Sequence, residues 1–432
     1  MQILVVHPAQ QHSYHLAVAL YQAGYLDHYV TTVYYQPRSL TAFVAKLLRG
    51  NLRTKAMMRR CPALPDALVL RMCEGEGLLK LLTMHLPLLQ RYYRRVKYHT
   101  ADRFAEKVAD YIALHPVDAV VCYDDCSSVL FPALAQRSPH VLRIMDVSAA
   151  NVLYMRKIYE QDMRMMPEFA ARLRKERTIV WDQDTIRRTE TELCFAQMYL
   201  VPSEYVSRSL RFSGIPAEKI HLCPYGADVD VFSQKMYPDY RALDRPLRFI
   251  YVGGVKELKG IGYLLHSFQS IPRDRAELIV VGACDRTAED ILPYLDCITF
   301  TGPVLHSEMP ALLAEADVFV FPSLGDSYAL VVMEAAACGL PVIVSKNTGA
   351  GELITDGVEG FVIPIQSEQA LTEKVLYFVD HPDQIEKMGR AARKMAEHNR
   401  WEDYYTRVCT IFGSIINNEG DSAWRQHHTG DR

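Results

Sequence analysis

Short runs of apolar residues alternate with segments of helical length along most of this chain, and this alternation restricts the folds open to it. The runs are clearest after residue 245, at 249–252, 278–281, 298–300, 318–321, 342–344 and 361–363. They show no apolar–polar alternation, so each strand is expected to be buried on both faces, as in a parallel sheet covered by helices on both sides. Similar runs at 3–6, 119–122, 141–145 and 198–201 predict a second such sheet. The chain is therefore expected to be an α/β protein with two Rossmann-like, doubly wound domains.

The length of 432 residues fits two domains of ordinary size, and the composition indicates where they divide. Residues 232–246 are rich in Asp, Tyr and Pro and lack periodicity, which is typical of a linker. We expect a first domain over residues 1–240 and a second over 241–397. The apolar spacing predicts that residues 398–416 form a helix that returns to the first domain, and the polar residues 417–432 are expected to be disordered.

The overall composition excludes several classes of protein. Hydrophobic residues make up 49% and charged residues 23%, which argues against a disordered or fibrous chain. The formal net charge of -3 disfavours a protein whose whole surface binds nucleic acid. The 10 cysteines form no CxxC pair, no apolar run is long enough to span a bilayer, and no signal-peptide core follows Met1. These features predict a cytoplasmic protein with reduced thiols.

Residues 44–97 are much more basic than the rest of the chain. This segment holds 12 Lys and Arg residues and only three acidic residues, interleaved with Leu and Met. Basic amphipathic helices are typical of surfaces that lie on anionic membranes. The sequence also leaves open a solvated basic face and a groove for an anionic substrate.

The most informative stretch is 319–341, where a strand, a loop and a helix follow one another. The strand ends before Pro322, the helix starts near Leu330, and Gly339 marks the end of the helix. Such a loop places the free backbone N–H groups of a helix N-terminus beyond the carboxyl end of a parallel strand. This is where open α/β sheets bind ligands and where the helix dipole stabilises a diphosphate.

Two carboxylates lie in this stretch, Asp326 in the loop and Glu334 in the helix. The residues on either side of Glu334, 331–333 and 335–337, are all apolar, so its carboxylate needs a polar partner. Paired sugar hydroxyls would supply one. For Asp326, the spacing alone also fits a surface residue that is favoured by the helix dipole.

A second candidate site follows the first strand of the second domain. Gly253-Gly254 comes directly after the apolar run, and Lys259 follows five residues later. Adjacent glycines allow the backbone to approach a ligand closely, and a nearby lysine can neutralise phosphate oxygens. Surface loops use the same residues, so this motif gains its weight from sharing a domain with the two carboxylates.

Together these motifs resemble the retaining nucleotide-sugar glycosyltransferases of family 4, the glycosyl transferases group 1, which have the GT-B fold. The stretch from Asp326 to Glu334-Ala-Ala-Ala-Cys-Gly-Leu-Pro is similar to the E-x7-E signature of that family and its continuation. Residues 201–204, 224–228, 253–260 and 348–360 are similar to further family segments, and the resemblance covers about residues 190–405. It implies two Rossmann-like domains that face an interdomain cleft.

The resemblance implies an enzyme that transfers a sugar from a nucleotide-sugar donor to a glycan, lipid-linked or polysaccharide acceptor, with retention of configuration and without a metal or cofactor. Lys259 would balance charge on the leaving diphosphate, and Asp326 would hold hydroxyls of the transferred sugar. Glu334 would bind the ribose, and the base would pack near Leu305. The other implied donor contacts are Gly253, Gly254, Ser327 and the backbone amides of Tyr328, Ala329 and Leu330.

The sequence departs from the family pattern at several positions. Asp326 stands for the first Glu of the signature, Ser327-Tyr328-Ala329 for Gly-Phe-Gly, and Gly254 for the Arg of the phosphate loop, a loss that Lys256 could offset. A loop that needs positive φ would be strained at an alanine. In the first domain a Gly-rich loop is missing and a tyrosine stands where the family often has His. The candidate acceptor-side residues are Gln11, His12 and Tyr123.

Two other functions stay open on the sequence, a nucleotide-sugar epimerase of the same architecture and a non-catalytic sensor of nucleotide sugars. A nicotinamide dehydrogenase is disfavoured because no G-x-G-x-x-G motif follows the first strand. The expected partners are the donor, the acceptor and, in the membrane alternative, an anionic membrane surface contacted through residues 44–97. Nucleic acid is not an expected partner.

Overall fold

The computed structural model describes residues 1–9, 12–176 and 178–419, which form two parallel β-sheets. The first sheet has the order β3-β2-β1-β4-β5-β6-β7, with β1 (Ile3–His7), β2 (Leu26–Thr31), β3 (Val69–Arg71), β4 (Ala119–Tyr123), β5 (Leu142–Asp146), β6 (Met198–Val201) and β7 (Ile220–Leu222). The second has the order β10-β9-β8-β11-β12-β13, with β8 (Leu247–Val252), β9 (Ala276–Val281), β10 (Thr299–Gly302), β11 (Val318–Phe321), β12 (Val342–Ser345) and β13 (Gly360–Ile363). The predicted α/β class with two doubly wound sheets is confirmed.

Helices cover both sheets. Those of the first domain are α1 (Ser13–Gln22), α2 (Leu40–Leu47), α3 (Gly50–Met57), α4 (Glu74–His85), α5 (Tyr93–Leu114), α6 (Ser127–Arg137), α7 (Val152–Met165), α8 (Ala170–Glu176), α9 (Gln183–Phe195) and α10 (Glu204–Phe212). The second domain has α11 (Ile261–Gln269), α12 (Met309–Ala314), α13 (Leu330–Ala337), α14 (Glu368–Asp380) and α15 (Asp383–Glu397), and α16 (Trp401–Glu419) follows. Within the described ranges, no helix has the length and apolar composition that a bilayer crossing requires.

The burial of the central strands explains why their apolar runs are visible in the sequence. Every residue of β1, β4, β11 and β12 is buried, so each position on both faces needs a side chain that tolerates the interior. The outer strands β2, β3 and β7 carry polar or half-buried residues, and the apolar-run criterion did not predict them.

The chain passes between the domains in two adjacent segments. The coil between β7 and β8 contains the predicted boundary at residues 240/241, and the second passage joins α15 to α16. They touch where the Ala227 amide donates to the Asn399 carbonyl at 2.8 Å. A Cβ on Gly226 would lie 2.3 Å from the Trp401 nitrogen, so a side chain at 226 would separate the two passages.

The last helix, α16, packs on α1 of the first domain. The rings of His15 and Trp401 stack with 3.5 Å between their centroids, and His15 Nδ1 lies 2.9 Å from the Tyr405 hydroxyl. The helix extends to Glu419, three residues beyond the predicted end. Residues 420–432 of the predicted tail lie outside the described residues.

Helices α7 and α8 of the first domain pack against the second domain. Arg172 makes two hydrogen bonds of 2.6 Å to the Asp290 carboxylate, and the Tyr263 hydroxyl donates to Asp162 at 2.8 Å. These contacts hold the two domains face to face over a cleft at the carboxyl edges of both sheets.

Candidate active site

The candidate site lies where the winding direction of the second sheet reverses. Strands β9 and β10 continue from β8 on one side, and β12 and β13 continue from β11 on the other. The loops that follow β8 and β11 therefore diverge and leave a crevice, which is the usual ligand site of open α/β sheets. Both candidate motifs of the second domain lie in these two loops.

The structure brings Lys259 and Asp326 into direct contact. Lys259 ends a short 3-10 helix after β8, and its ammonium forms an ion pair with Asp326 Oδ2. The same ammonium lies 5.4 Å from the centroid of the Phe321 ring. The side chains of Lys259 and Asp326 are 24% and 17% exposed, so the ion pair is partly desolvated but still open to a ligand.

This ion pair borders a cavity of about 250 Å³ between the domains. The second domain contributes Lys256, Leu258, Lys259, Gly325, Asp326 and Ser327 to its wall, and the first domain contributes Ala149, Ala150, Met155 and Tyr205. Two lysines and one aspartate give the second-domain wall a positive charge balance, which suits a phosphate-bearing ligand.

Gly260 makes the close approach of these two loops possible. Its φ is +70°, and a Cβ there would lie 2.0 Å from the carbonyl oxygen of Pro322 at the end of β11. The Leu258 carbonyl accepts hydrogen bonds from the Leu324 amide at 3.1 Å and from the Ser323 hydroxyl at 3.2 Å. The loop that carries Lys259 therefore rests on the strand that leads to Asp326.

The glycine pair after β8 lies behind the cavity. Gly253 has a φ of +156° and donates to Val281 at 2.8 Å, while the Tyr251 hydroxyl donates to the Gly254 carbonyl at 2.9 Å. A Cβ on Gly254 would lie 3.3 Å from Lys256 Cε, so the Lys256 side chain covers this glycine and reaches the cavity wall. Lys256 therefore supplies a cation beside the position where the family pattern has Arg.

The loop between Asp326 and α13 is held from several sides. The Tyr328 amide, predicted to face a diphosphate, instead donates to Asp326 Oδ1 at 3.2 Å. The Tyr328 hydroxyl donates to the Tyr225 carbonyl at 2.5 Å, and the Ser203 hydroxyl donates to the Ser327 carbonyl at 2.7 Å. Ala329 has a φ of +63° immediately before α13, so the strain expected at this alanine is present.

Glu334 finds a partner that the sequence did not predict. Its Oε1 lies 3.1 Å from His306 Nε2, and the Phe232 ring packs edge-on against His306 with 5.5 Å between centroids. Leu305, next to His306, is 56% exposed, and Leu330 is also exposed. Exposed apolar side chains therefore lie beside a carboxylate that is paired with a histidine.

On the first-domain side, His12 is largely buried in a polar cluster. Its Nε2 lies 3.2 Å from both oxygens of Asp146 and 2.8 Å from the Tyr225 hydroxyl. The Tyr123 ring packs 5.4 Å away, with a buried hydroxyl that has no hydrogen-bond partner among the described residues. Gln11, the third candidate, lies outside the described residues. Asp146 and Tyr225 tie His12 to the Tyr328 loop. Asp146 had no signal in the sequence, and Tyr225 lies in the family-like segment 224–228 but was given no role.

Three carboxyl groups surround the base of the Lys259 loop. Burial raises the pKa of Glu257 well above its usual range, that of Asp162 to about 6 and that of Glu176 to about 7. Glu257 Oε2 accepts from the Gly262 amide at 2.8 Å, and Glu176 Oε2 accepts from the Leu258 amide at 3.4 Å. The loop is thus anchored by Glu257 and Glu176, two carboxyl groups whose pKa values burial raises. The described part of the chain contains no cluster of three or more His, Cys, Asp and Glu arranged to hold a metal ion.

Two solved structures match nearly the full length of this chain. Sucrose-phosphate synthase from Thermosynechococcus elongatus matches with a TM-score of 0.67 at 19% identity, covering 97% of this chain and 100% of that one. HepE from Anabaena was solved in complex with UDP-glucose. It matches with a TM-score of 0.60 at 15% identity, covering 96% of this chain and 100% of that one. The GT-B fold that the resemblance implied is confirmed.

The second domain also carries the family match. Residues 246–381 match the family model for glycosyl transferases group 1. Amylovoran biosynthesis glycosyltransferase AmsK from Erwinia amylovora is 32% identical over 197 residues, which cover 43% of this chain and 48% of that protein. The chain spans about half the length of the curated relatives it matches. The predicted resemblance to glycosyl transferases group 1 is therefore confirmed, and residues 246–381 are the matched segment.

Proposed function

We propose that this chain is a glycosyltransferase that moves a sugar from a nucleotide-sugar donor to a glycan, lipid-linked or polysaccharide acceptor with retention of anomeric configuration. The observation that carries the proposal is the contact between Lys259 and Asp326 at the mouth of an interdomain cavity, one turn from the start of α13. A cation, a carboxylate and a helix N-terminus meet there, and an activated sugar presents a diphosphate and hydroxyls to such groups.

The donor would lie along the carboxyl edge of the second sheet. Its base would rest on Leu305 and its ribose hydroxyls would bind Glu334, while the diphosphate would face the start of α13 and Lys259. Asp326 would then exchange its ion pair with Lys259 for hydroxyls of the transferred sugar. Gly253 and Gly254 support this loop from behind.

Lys259 would help to stabilise the leaving group, together with the start of α13. The bond from the anomeric carbon to the diphosphate breaks as the acceptor oxygen attacks from the same face, and a donor phosphate oxygen takes the acceptor proton. A preorganised cation at developing negative charge in a desolvated site contributes about 3–4 kcal/mol. The contacts of Lys259 with Asp326 and the Phe321 ring hold its ammonium in place beforehand.

The names of the relatives favour transfer over the two alternatives. AmsK is a biosynthetic glycosyltransferase, and HepE was solved with UDP-glucose, which makes a uridine nucleotide sugar the first donor to test. An epimerase would change its nucleotide sugar without any acceptor, and a sensor would bind it without turnover. Product analysis with and without acceptor separates these three functions.

The test compares the purified chain with Lys259→Ala and Glu334→Gln in a screen of nucleotide sugars by thermal shift, followed by product assays. Both variants are expected to lose at least tenfold in donor affinity or turnover, with unchanged circular dichroism. Lys387→Ala and Glu373→Gln, at exposed positions of α15 and α14, are the matched controls. Wild-type donor affinity and rate in both site variants would refute the assignment.

A second proposal concerns the segment 44–97, for which we favour contact with an anionic membrane. On α2, the exposed Phe43 lies one helical turn before the exposed Lys46 and Leu47. Helix α3 adds the exposed Arg53 and Lys55. Phe43 and Leu47 are 60% and 69% exposed, which is unusual for a face that contacts only water. Apolar side chains flanked by basic ones suit the boundary between lipid tails and anionic headgroups.

Liposome co-sedimentation tests this second proposal. The wild-type chain is expected to sediment with vesicles containing anionic lipid at low salt and to be released by high salt. The double change Phe43→Ser with Leu47→Ser should abolish sedimentation, whereas Leu114→Ser, an exposed leucine at the end of α5, should not. Failure of the wild-type chain to sediment at low salt removes the proposal. The cytoplasmic location stays a prediction.

A further inference from the structure

Two carboxyl groups meet where the first domain packs behind the Lys259 loop. Asp162 comes from α7 of the first domain, and Glu257 comes from the short 3-10 helix that ends at Lys259. Both residues are buried, at 0% and 1% exposure, and each carboxyl group is a hydrogen-bond partner of the other. A carboxyl pair, Asp162 with Glu257, therefore bridges the two domains directly behind the cation of the candidate site.

The hydrogen bonds of the carboxyl pair show which oxygens face each other. Asp162 Oδ1 accepts from the Tyr263 hydroxyl at 2.8 Å and from the Gln366 side-chain amide at 3.3 Å. Glu257 Oε2 accepts from the Gly262 backbone amide at 2.8 Å. Asp162 Oδ2 and Glu257 Oε1 are also buried, and no other donor of the described residues reaches either atom. The two carboxyl groups therefore meet through Asp162 Oδ2 and Glu257 Oε1.

Two carboxylates at hydrogen-bond distance in a buried site cannot both be ionised, because like charges repel strongly there. One proton between them replaces that repulsion by a charge-assisted hydrogen bond. Tyr263 and Gln366 already donate to Asp162 and stabilise its charge, so the proton belongs on Glu257 Oε1, which donates to Asp162 Oδ2. Burial raises the pKa of Glu257 well above its usual range and that of Asp162 only to about 6, in agreement with this assignment.

The carboxyl pair lies at the base of the turn that carries Lys259. Glu257 begins the 3-10 helix, and its carbonyl accepts from the Gly260 amide at 2.7 Å. The Leu258 amide donates to Glu176 of α8 at 3.4 Å. The first domain therefore holds this turn at two consecutive residues, and Lys259 follows directly after them.

The packing beside the carboxyl pair leaves little room for its two members to move apart. A Cβ on Gly262 would lie 2.8 Å from the Phe169 ring and 3.1 Å from the Met166 side chain. The segment before α8 thus packs directly on the start of α11. Without the shared proton, repulsion within the pair would be relieved by moving the turn or by separating the domains, and either movement displaces Lys259.

Resting on the proposed function, we propose that Asp162 and Glu257 share one proton across the domain interface and that Asp162 is a positioning residue for Lys259. Asp162 does not touch the donor. It holds Glu257, and through the 3-10 helix it sets the Lys259 ammonium beside Asp326 and the leaving diphosphate. Because Asp162 belongs to the first domain and Lys259 to the second, the cation for the leaving group is in place only when the domains are docked.

The shared proton makes the position of Lys259 depend on pH. The acidic groups that face the pair are Glu168 and Glu176 from the first domain, Tyr251 on β8 and Tyr263 on α11, and the loop after β13 adds the neutral Gln366. The lysines of the same turn, Lys256 and Lys259, line the donor cavity instead. The pair keeps its proton below the raised pKa of Glu257 and loses it as pH rises through that value, so kcat should fall on the alkaline side.

Amide substitutions, made singly and together, test the positioning role. In Asp162→Asn or Glu257→Gln an amide N–H takes the place of the shared proton, so kcat for sugar transfer should stay within about threefold of wild type and its alkaline fall should disappear. In the double variant Tyr263 and Gly262 still need the carbonyl oxygens, so two NH2 groups face each other. Its kcat should fall at least about tenfold while the donor KM changes less than about threefold, because Lys259 acts mainly on charge that develops as the bond breaks.

Glu168→Gln is the matched control. Glu168 meets His266 of α11 at 3.3 Å in the same interface but does not hold the Lys259 turn, so this variant should keep the wild-type kcat and its alkaline fall. Circular dichroism shows that each variant is folded. A double variant as active as wild type, or a single variant that loses as much as the double, would overturn the proposal.

Infrared difference spectra give a readout that needs neither substrate nor transfer activity. A protonated carboxyl group has a C=O stretch that is separate from the carboxylate bands. The spectrum of wild type minus Glu257→Gln at neutral pH should contain that stretch, and Asp162→Asn should lose it as well, because Glu257 then ionises. Absence of the stretch would overturn the shared proton even if the double variant does not fold. Absence of transfer by the wild type from every nucleotide sugar would instead count against the proposed function.

Discussion

Replacing Gly260 by alanine tests the way the Lys259 loop rests on β11. Two costs add at this position: a φ of +70° disfavours an L-residue by about 1–2 kcal/mol, and the new Cβ meets the Pro322 oxygen at 2.0 Å. Overpacking of this kind costs about 1–3 kcal/mol once neighbours shift. We therefore expect Gly260→Ala to lower the free energy of unfolding by about 2–5 kcal/mol.

Gly302 provides a control that separates the two costs. Its φ is +82°, but a Cβ there would have nothing within 4 Å, so Gly302→Ala should cost only the backbone contribution of about 1–2 kcal/mol. Urea unfolding followed by circular dichroism measures the stability of both variants, and UDP titration measures the site. Because Lys259 precedes Gly260, only Gly260→Ala should also weaken UDP binding. Equal destabilisation by both variants, with equal UDP affinity, would refute the reasoning.

Three further predictions concern the loop before α13, the nucleoside rim and the carboxyl groups behind Lys259. Ala329→Gly should change the free energy of unfolding by less than about 1 kcal/mol. Glycine removes the backbone strain of the positive φ, but it also gives the unfolded chain more conformational freedom, and the two effects offset each other. Thermal denaturation measures the change, and a larger loss of stability would contradict the presence of strain at Ala329. His306→Ala should weaken UDP binding severalfold, measured by calorimetry, because Glu334 loses the partner that orients it; unchanged affinity would show that the pair does not serve the ribose. Burial raises the pKa of Glu176 to about 7, so the folded chain keeps a proton that the unfolded chain releases at lower pH. The melting temperature should therefore fall as pH rises from about 4.5 to 7, and Glu176→Gln should flatten that slope; an unchanged slope would contradict the shift.

The second sheet could be predicted from sequence because its central strands β8 and β11 are apolar at all positions but Arg248 and mostly buried. The strand β2 escaped prediction because Asp27 and His28 interrupt it, and these two side chains pair with each other at 2.9 Å at the surface. The strands β3 and β7 span only three residues each, too few for any pattern to stand out. Pattern alone identifies strands by burial, so it fails where a strand is half exposed.

The same limit applies to the candidate site. Lys259 and Asp326 were both predicted, each from its own loop, but their direct ion pair depends on Gly260 and on the neighbouring positions of β8 and β11 in the sheet. The argument that Glu334 needs a polar partner was sound, but that partner, His306, lies 28 residues away on another loop. Partners that only tertiary packing brings together leave no local signal.

The most direct test of the account is a crystal structure of the chain with UDP. We predict that a diphosphate oxygen lies about 2.7–2.9 Å from Lys259 Nζ, with the ribose at Glu334 and the phosphates at the first amides of α13. Nucleotide density in another cleft, or at this edge of the sheet but without contact to Lys259, would contradict the central claim.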